Sequence, residues 1–278
     1  MKMFLSCDME GVAGIVDWSQ CRPDGGPAYA RGCALMLAEV NAAIDGAMSA
    51  GVTEVLVNDS HGAMFNLDPA GLHGRAAYLS GRHKPGYMME GLDDGFDMVA
   101  FVGYHGSISG APSTLSHTYN PEVISGVRLD GDYVGEAGIN ALVAHHLGVP
   151  IGFVSGDAVT LEETERVAPG AVGVLTKESV TRFAARNLHP EAAREAIRAG
   201  AEAAAAKVAA GEVDLPQIQV PARLEIDLQT ADMAEVASWV RGVERTDTRT
   251  VAITGTSGSD MFRSFVALTY ITRQAGGR

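Results

Sequence analysis

Five segments of the chain, KMFLSC, TEVLVND, FDMVAFVGYH, VPIGFVSGD and GAVGVLTKE, are nearly unbroken runs of apolar and β-branched residues. A strand with one wet face alternates apolar and polar side chains, and a strand covered on both faces has no need to. Between several of these runs lie stretches such as AYARGCALMLAEVNAAIDGAMSAG, where apolar residues recur at three- and four-residue spacing and a glycine closes the run. Strand and helix in alternation predict an α/β fold, a layered α/β/α arrangement around a largely parallel central sheet.

Two other stretches refine the organisation. GVRLDGDYVGEAGINALVAHHLG predicts a hairpin turning at Asp130-Gly131, then a helix beginning near Glu136. After residue 178 the texture shifts to an alanine-rich helix (PEAAREAIRAGAEAAAAKVAAGE) and a Pro-flanked extended segment (LPQIQVPARLEIDLQ). A helix at ADMAEVASWV, the strand TVAITGT and a last helix, DMFRSFVALTYITRQ, follow. The reading is a larger domain over residues 1–178, which carries the candidate site, and a second, smaller α/β region over 179–278. A chain of 278 residues has room for both.

Composition removes several function classes. A formal charge of −13 argues against a nucleic-acid partner, which normally demands a basic face. No stretch is long and apolar enough to span a bilayer, and the first apolar run reaches Asp8 too soon for a signal-peptide core. Three cysteines without a CxxC spacing fit a reducing compartment, so the expected location is cytoplasmic, with no membrane partner.

In open parallel sheets ligands bind outside the carboxyl ends of the strands, which makes those ends the informative positions. The first run ends in Asp8 and Glu10, the second in Asn58-Asp59-Ser60-His61, the third in Tyr104-His105 and the fourth in Gly156-Asp157. If the strand continued through Asp8 and Glu10, both carboxylates would face one side, an arrangement that asks for a cation between them. His61, His105 and Glu136 complete a set of two imidazoles and three acids suited to one or two divalent metals, zinc above all.

Taken singly, Asp59 and Asp157 read as turn-formers or caps, and Glu136 as a complement to a helix dipole. The doublet His145-His146 reads as structural or solvated, Cys7 as a small buried residue facing away from Asp8, and Lys177 as a solvated lysine or a contact for a substrate carboxylate. His117, in the polar segment STLSHTYN, lies on a loop that could fold over the crevice. From the residues alone it is a third imidazole ligand, a general acid/base, a nucleophile or an exposed loop histidine.

The stretch SCDMEGVAG resembles the S-x-D-x-E-G opening of the zinc-dependent D-aminopeptidases of peptidase family M55. EVLVNDSHGAMFNL, GYMMEGLDDGFDMVAFVGYH, LSH, GEAGINA and SGD are similar to the family's later motifs, in the same order, as far as about VLTKESVTRFAA. The resemblance implies Asp8, Glu10, His61, His105 and Glu136 as metal ligands and puts His117 in the place of a catalytic histidine. It also implies a two-domain α/β architecture and a ring-like homodecamer. The expected activity is hydrolysis of the amide after the N-terminal residue of short peptides or aminoacyl amides, D-residues included, by two zinc ions per subunit with Asp8 bridging them. The C-terminal third, where the likeness is loose, is left to supply pocket walls or subunit contacts.

Two rivals remain at this level. A two-metal phosphoesterase would use similar ligands but needs cations to clamp phosphate, and the strand ends offer Lys177 alone, with Arg82 and Lys84 on a loop further off. A cytosolic peptide-binding protein of the same fold without activity would not require all five candidate ligands. A serine hydrolase lacks its GxSxG elbow here, and a dinucleotide enzyme its GxGxxG turn.

Overall fold

The five apolar runs form five neighbouring strands of one sheet. The computed structural model describes residues 1–108 and 110–276. In chain order the elements are β1 (Lys2–Cys7), α1 (Pro27–Ser49), β2 (Glu54–Asp59), β3 (Ala77–Leu79), β4 (Met98–Tyr104), β5 (Ile124–Leu129), β6 (Asp132–Tyr133), α2 (Glu136–Leu147) and β7 (Ile151–Asp157). They continue with α3 (Ala158–Val167), β8 (Val172–Thr181), β9 (Ala184–Asn187), α4 (Pro190–Ala209), β10 (Ala222–Leu228), α5 (Ala231–Ser238), β11 (Val243–Arg245), β12 (Thr250–Gly255) and α6 (Gly258–Ala275). The larger sheet runs β3-β2-β1-β4-β7-β8-β9 and is parallel except for the β8–β9 hairpin at its edge.

β1 shows why its sequence carries so little alternation. Met3, Leu5 and Cys7 pack on one face against Met36, Val40 and Ala43 of α1 and Ala201 and Ala204 of α4. Phe4 points to the opposite face, into a core that includes Phe101, Leu142, Leu224 and Phe265. Both faces are therefore dry, and each fully buried Leu or Phe contributes on the order of 1.5–3 kcal/mol relative to exposure.

The smaller sheet, β11-β12-β10-β5-β6, is antiparallel. Its hairpin β5–β6 turns at Asp130 (φ 53) and Gly131 (φ 99), the pair of positive φ values that a tight two-residue loop requires and that Asp-Gly tolerates. Strand membership does not divide at residue 178. β5 and β6 come from before that point and pair with β10 and each other, and α4, from after it, packs against α1 on the larger sheet. The face of the larger sheet that carries Phe4 and the smaller sheet share one apolar core. No described helix is long and apolar enough to cross a membrane.

Candidate metal centre

Asp8 directly follows β1, where its N–H still donates to Val102 O of β4 at 2.8 Å. The chain then leaves the sheet. Val12 N–H donates to Met9 O (3.1 Å) and Gly11 N–H to Gly103 O (2.9 Å), so a turn, not continued strand pleating, brings Glu10 back beside Asp8. That corrects the strand geometry assumed from sequence for this pair while keeping its result. The approach is tight, because a Cβ on Gly11 would lie 1.8 Å from Tyr104 O. Gly103 itself sits at φ 73, and there the pairing of β4 with β7 slips register before His105.

Each imidazole is held by a backbone carbonyl on one nitrogen and faces carboxylates with the other. His61 Nε2 donates to Cys21 O (2.7 Å), which leaves Nδ1 2.9 Å from Asp8 Oδ1 and 3.0 Å from Glu10 Oε2. His105 Nδ1 donates to Gly106 O (3.0 Å), and its Nε2 stands 3.3 Å from Asp8 Oδ2 and 3.6 Å from Glu136 Oε1. A carbonyl can only accept, so the outer nitrogen keeps its proton whatever the charge on the ring, and the inner nitrogen is the one turned toward the acids, where a bound metal would replace its proton. This is the outer-shell pattern that orients metal-ligating histidines.

Glu136 is the first residue of α2, and its Oε1 also accepts from Tyr119 N–H at 2.8 Å. His117 lies on the same loop as Tyr119. Its ring stacks on His105 with centroids 4.2 Å apart and meets Trp18 edge-on, its Nδ1 donates to Leu115 O (3.0 Å), and its Nε2 is 3.7 Å from Glu136 Oε1. Beneath the centre a polar chain links Ser60, Ser6, Tyr104, Asn140 and Tyr119 through contacts of 2.6–3.0 Å, tying together β1, the residue after β2, β4, α2 and the loop of His117.

The electrostatics call for a cation. Asp8, Glu10, His61, His105 and Glu136 are between 1% and 7% exposed, so three carboxylates lie together almost out of water. Burial opposes charge on His61 and His105, but the adjacent acids win and hold both imidazoles well above the ordinary range. Burial likewise opposes ionisation of Asp8, yet contacts with His105 and His61 hold it well below. His117 is the exception: burial and then the charge of His105 push it down, so it is neutral near pH 7.

The donor set fits a metal. Asp8 Oδ2, Glu10 Oε2 and His105 Nε2 have no hydrogen-bond partner despite neighbours at 3.0–3.6 Å. They are close to one another without being aligned on one another. Ligand atoms bound tetrahedrally at about 2.0–2.1 Å from zinc are separated by about 3.3 Å, the spacing found here. Asp8, Glu10 and His105 form one group able to hold an ion, and His105, His117 and Glu136 another.

The remaining sequence candidates fall elsewhere. Asp59 accepts from Asn66 and Leu67 N–H, and Asp157 caps α3 through Thr160 N–H (3.0 Å), both structural as read. His145 Nδ1 donates to Pro216 O and His146 is exposed. Lys177 is neither solvated nor facing the cavity. It is 1% exposed, its Nζ donates to Glu10 O (2.8 Å) and Ile15 O (2.6 Å), and burial pushes its pKa down to about 8. Its role is to anchor the loop that carries Glu10.

The centre opens into a cavity of about 570 Å³. Sequence reasoning missed much of its lining. Trp18, Cys21 and Arg22 come from the loop after Glu10, and Val266, Thr269, Tyr270 and Arg273 come from α6. The α6 residues share one face of the helix at spacings of three and four, a pattern visible in the sequence but easily taken for core. The C-terminal third does supply pocket wall.

A buried set of acids and imidazoles at the carboxyl edge of a parallel sheet, opening on a cavity of this size, is a layout suited to a metal-dependent hydrolase. A family model described as peptidase M55, D-aminopeptidase, matches residues 1–267, and the chain belongs to that family. It is 36% identical over 280 residues to the D-aminopeptidase of Bacillus subtilis (strain 168), covering 99% of this chain and 98% of that one. Among solved structures, the zinc-dependent D-aminopeptidase DppA from Bacillus subtilis, described as a self-compartmentalizing protease, superposes with a TM-score of 0.90 at 32% identity, over 99% of this chain and 98% of that chain.

Proposed function

We propose that the protein is a metallo-aminopeptidase that hydrolyses the amide bond after the N-terminal residue of short peptides or aminoacyl amides containing D-amino acids. In this reading Asp8, Glu10 and His61 would hold one zinc ion, and Asp8, His105 and Glu136 would hold a second. The observation that carries it is the posture of Asp8, whose Oδ1 faces His61 at 2.9 Å while its Oδ2 faces His105 at 3.3 Å. A carboxylate that addresses two imidazoles with separate oxygens is a natural bridge between two ions.

Zinc bound there supplies Lewis-acid polarisation of the scissile carbonyl and lowers the pKa of water toward neutrality. The remaining work belongs to the chain. His117 is neutral, its tautomer is fixed by Leu115 O, and its ring is held between His105 and Trp18, so Nε2 can take a proton from the attacking water and give it to the leaving amine. The cavity admits a short peptide, and Arg22, Arg82 and Arg273 on its lining offer partners for the peptide's terminal carboxylate. The relatives' names support the D-residue preference and a homo-oligomeric assembly.

The test is turnover of matched D- and L-aminoacyl arylamides, and of an aryl phosphate, by zinc-loaded protein before and after dialysis against a chelator. D-arylamide cleavage that disappears on dialysis and returns with zinc is the expected result. Cleavage that survives dialysis refutes the metal reading. Turnover confined to the phosphate points to the phosphoesterase, and metal-dependent peptide binding without any turnover points to a binding protein.

A further inference from the structure

Cys21 lies in the loop after Glu10 and closes the short 3-10 turn Trp18–Gln20. Its carbonyl receives the Nε2–H of His61. Cys21 is among the residues that line the cavity although it is only 3% exposed, and among the described residues its sulfur makes no hydrogen bond. One sulfur position, one His61 nitrogen and one Glu10 carboxylate oxygen all fall within 4.8 Å of one another. The other cysteines are placed differently, with Cys7 packed on the opposite face of β1, its Sγ donating to Asn58 O, and Cys33 within α1.

A buried thiol beside acids is by itself unremarkable, since free cysteine packs as a small hydrophobe. A second observation sets this one apart. Glu10 is 1% exposed, and its Oε2 has no hydrogen-bond partner even with His61 Nδ1 3.0 Å away, so the same cluster contains an unsatisfied anion. We propose that Cys21 supplies a sulfur ligand to the metal position formed by Asp8, Glu10 and His61, closing its shell while the position at His105 and Glu136 stays open to water. The inference rests on the metal-centre reading above.

The chemistry is consistent with the geometry. A thiolate about 2.3 Å from zinc, with nitrogen and oxygen ligands at about 2.0–2.1 Å, stands about 3.6 Å from them in a tetrahedron, so the cluster needs to contract by about 1 Å at most. The thiol proton leaves to solvent as the metal–sulfur bond forms. Four protein ligands then surround one ion, the pattern of structural sites, and the other ion keeps the open coordination that catalysis uses. A sulfur donor also biases the first position toward zinc or cadmium over magnesium or manganese.

Cobalt(II) reports the ligand type independently of turnover. Metal-free wild-type protein, Cys21→Ser and Cys21→Val are titrated with Co²⁺ and their absorption spectra recorded, the valine variant keeping the volume and apolar character of the site. The expected wild-type spectrum contains visible d–d bands and a near-ultraviolet sulfur-to-cobalt charge-transfer band. Both variants lose the charge-transfer band, keep the d–d bands, and bind the first cobalt about 10–100-fold more weakly. Visible d–d bands without a charge-transfer band in the wild type overturn the role of Cys21 and leave the metal centre standing. A charge-transfer band that persists in both variants assigns the sulfur to another residue and also overturns it. Absence of any cobalt binding removes the metal-centre reading and this inference with it.

Discussion

Glu39 offers a quantitative test of how the loop carrying Glu10 is supported. It belongs to α1, is 2% exposed, and accepts from Ala13 N–H through Oε1 at 2.9 Å, while its Oε2 is buried without a partner. Burial pushes its carboxyl from 4.5 up to about 7, against the hydrogen bond from Ala13 and the charges of Lys177 and Arg194. Below the unfolded value both states are protonated and the group contributes nothing. Between the two values the unfolded chain releases its proton and the folded one keeps it, so stability falls as pH rises. Above about 7 the penalty is complete, and at roughly 1.4 kcal/mol per pH unit it amounts to about 3 kcal/mol.

Glu39→Gln keeps an acceptor for Ala13 N–H and never ionises. Urea unfolding followed by far-ultraviolet circular dichroism, at one protein concentration and with metal stripped from both proteins, measures the difference. The variant's advantage over wild type is expected to widen by about 2.5 kcal/mol between pH 5 and pH 8. A gap that stays constant across that interval refutes the reasoning, because it would mean that Glu39 ionises alike in both states.

His117→Ala is expected to lower kcat by about 10²–10⁴-fold with zinc content unchanged by elemental analysis, and nearly full turnover would end its catalytic assignment. Asp8→Asn removes a charge from the carboxylate proposed to bridge the two metal positions. Its expected effect is a fall in bound zinc to one ion or fewer per subunit, with an activity loss exceeding the roughly 100-fold that changes to outer-shell partners cause; retention of two ions would sink the bridging role. Removing zinc from the wild type is expected to lower the unfolding midpoint, with free zinc at 100 times its Kd restoring about 2.7 kcal/mol, so an unchanged midpoint counts against a bound ion in the folded state.

The parts of the molecule legible in the sequence were those with local causes. Unbroken apolar runs marked strands buried on both faces, Asp130-Gly131 marked a hairpin by its own backbone needs, and the strand ends marked Asp8, His61 and His105 because a parallel sheet delivers its carboxyl ends to one edge. What stayed hidden depends on pairings between distant residues. Nothing local to Ile124–Leu129 announces that it pairs with Ala222–Leu228, which is why a boundary drawn on texture at 178 and the division of strands between sheets differ. Lys177 shows the same limit in a single side chain. A lysine ending an apolar run reads as wet, and only the fold reveals that Glu10 O and Ile15 O accept its hydrogen bonds.

The pattern of broken packing rules leads back to the same place. Among the described residues, the buried side-chain atoms left without hydrogen-bond partners are Asp8 Oδ2, Glu10 Oε2, Glu39 Oε2, His105 Nε2, Thr118 Oγ1 and Arg182 Nε. Three belong to the proposed ligands, and Thr118 adjoins His117. Glu39 holds the loop after Glu10 through Ala13, and Arg182 lies over the Trp18 ring that touches His117. An unsatisfied buried group costs about 1–3 kcal/mol, so folded proteins keep few, and random defects would scatter through the core. Here three of the six, on Asp8, Glu10 and His105, meet at the end of β1 and β4. A cation bound among Asp8, Glu10 and His105, as proposed, would meet the unpartnered atoms of all three at once, which is the compensation that a fold tolerating such a concentration calls for.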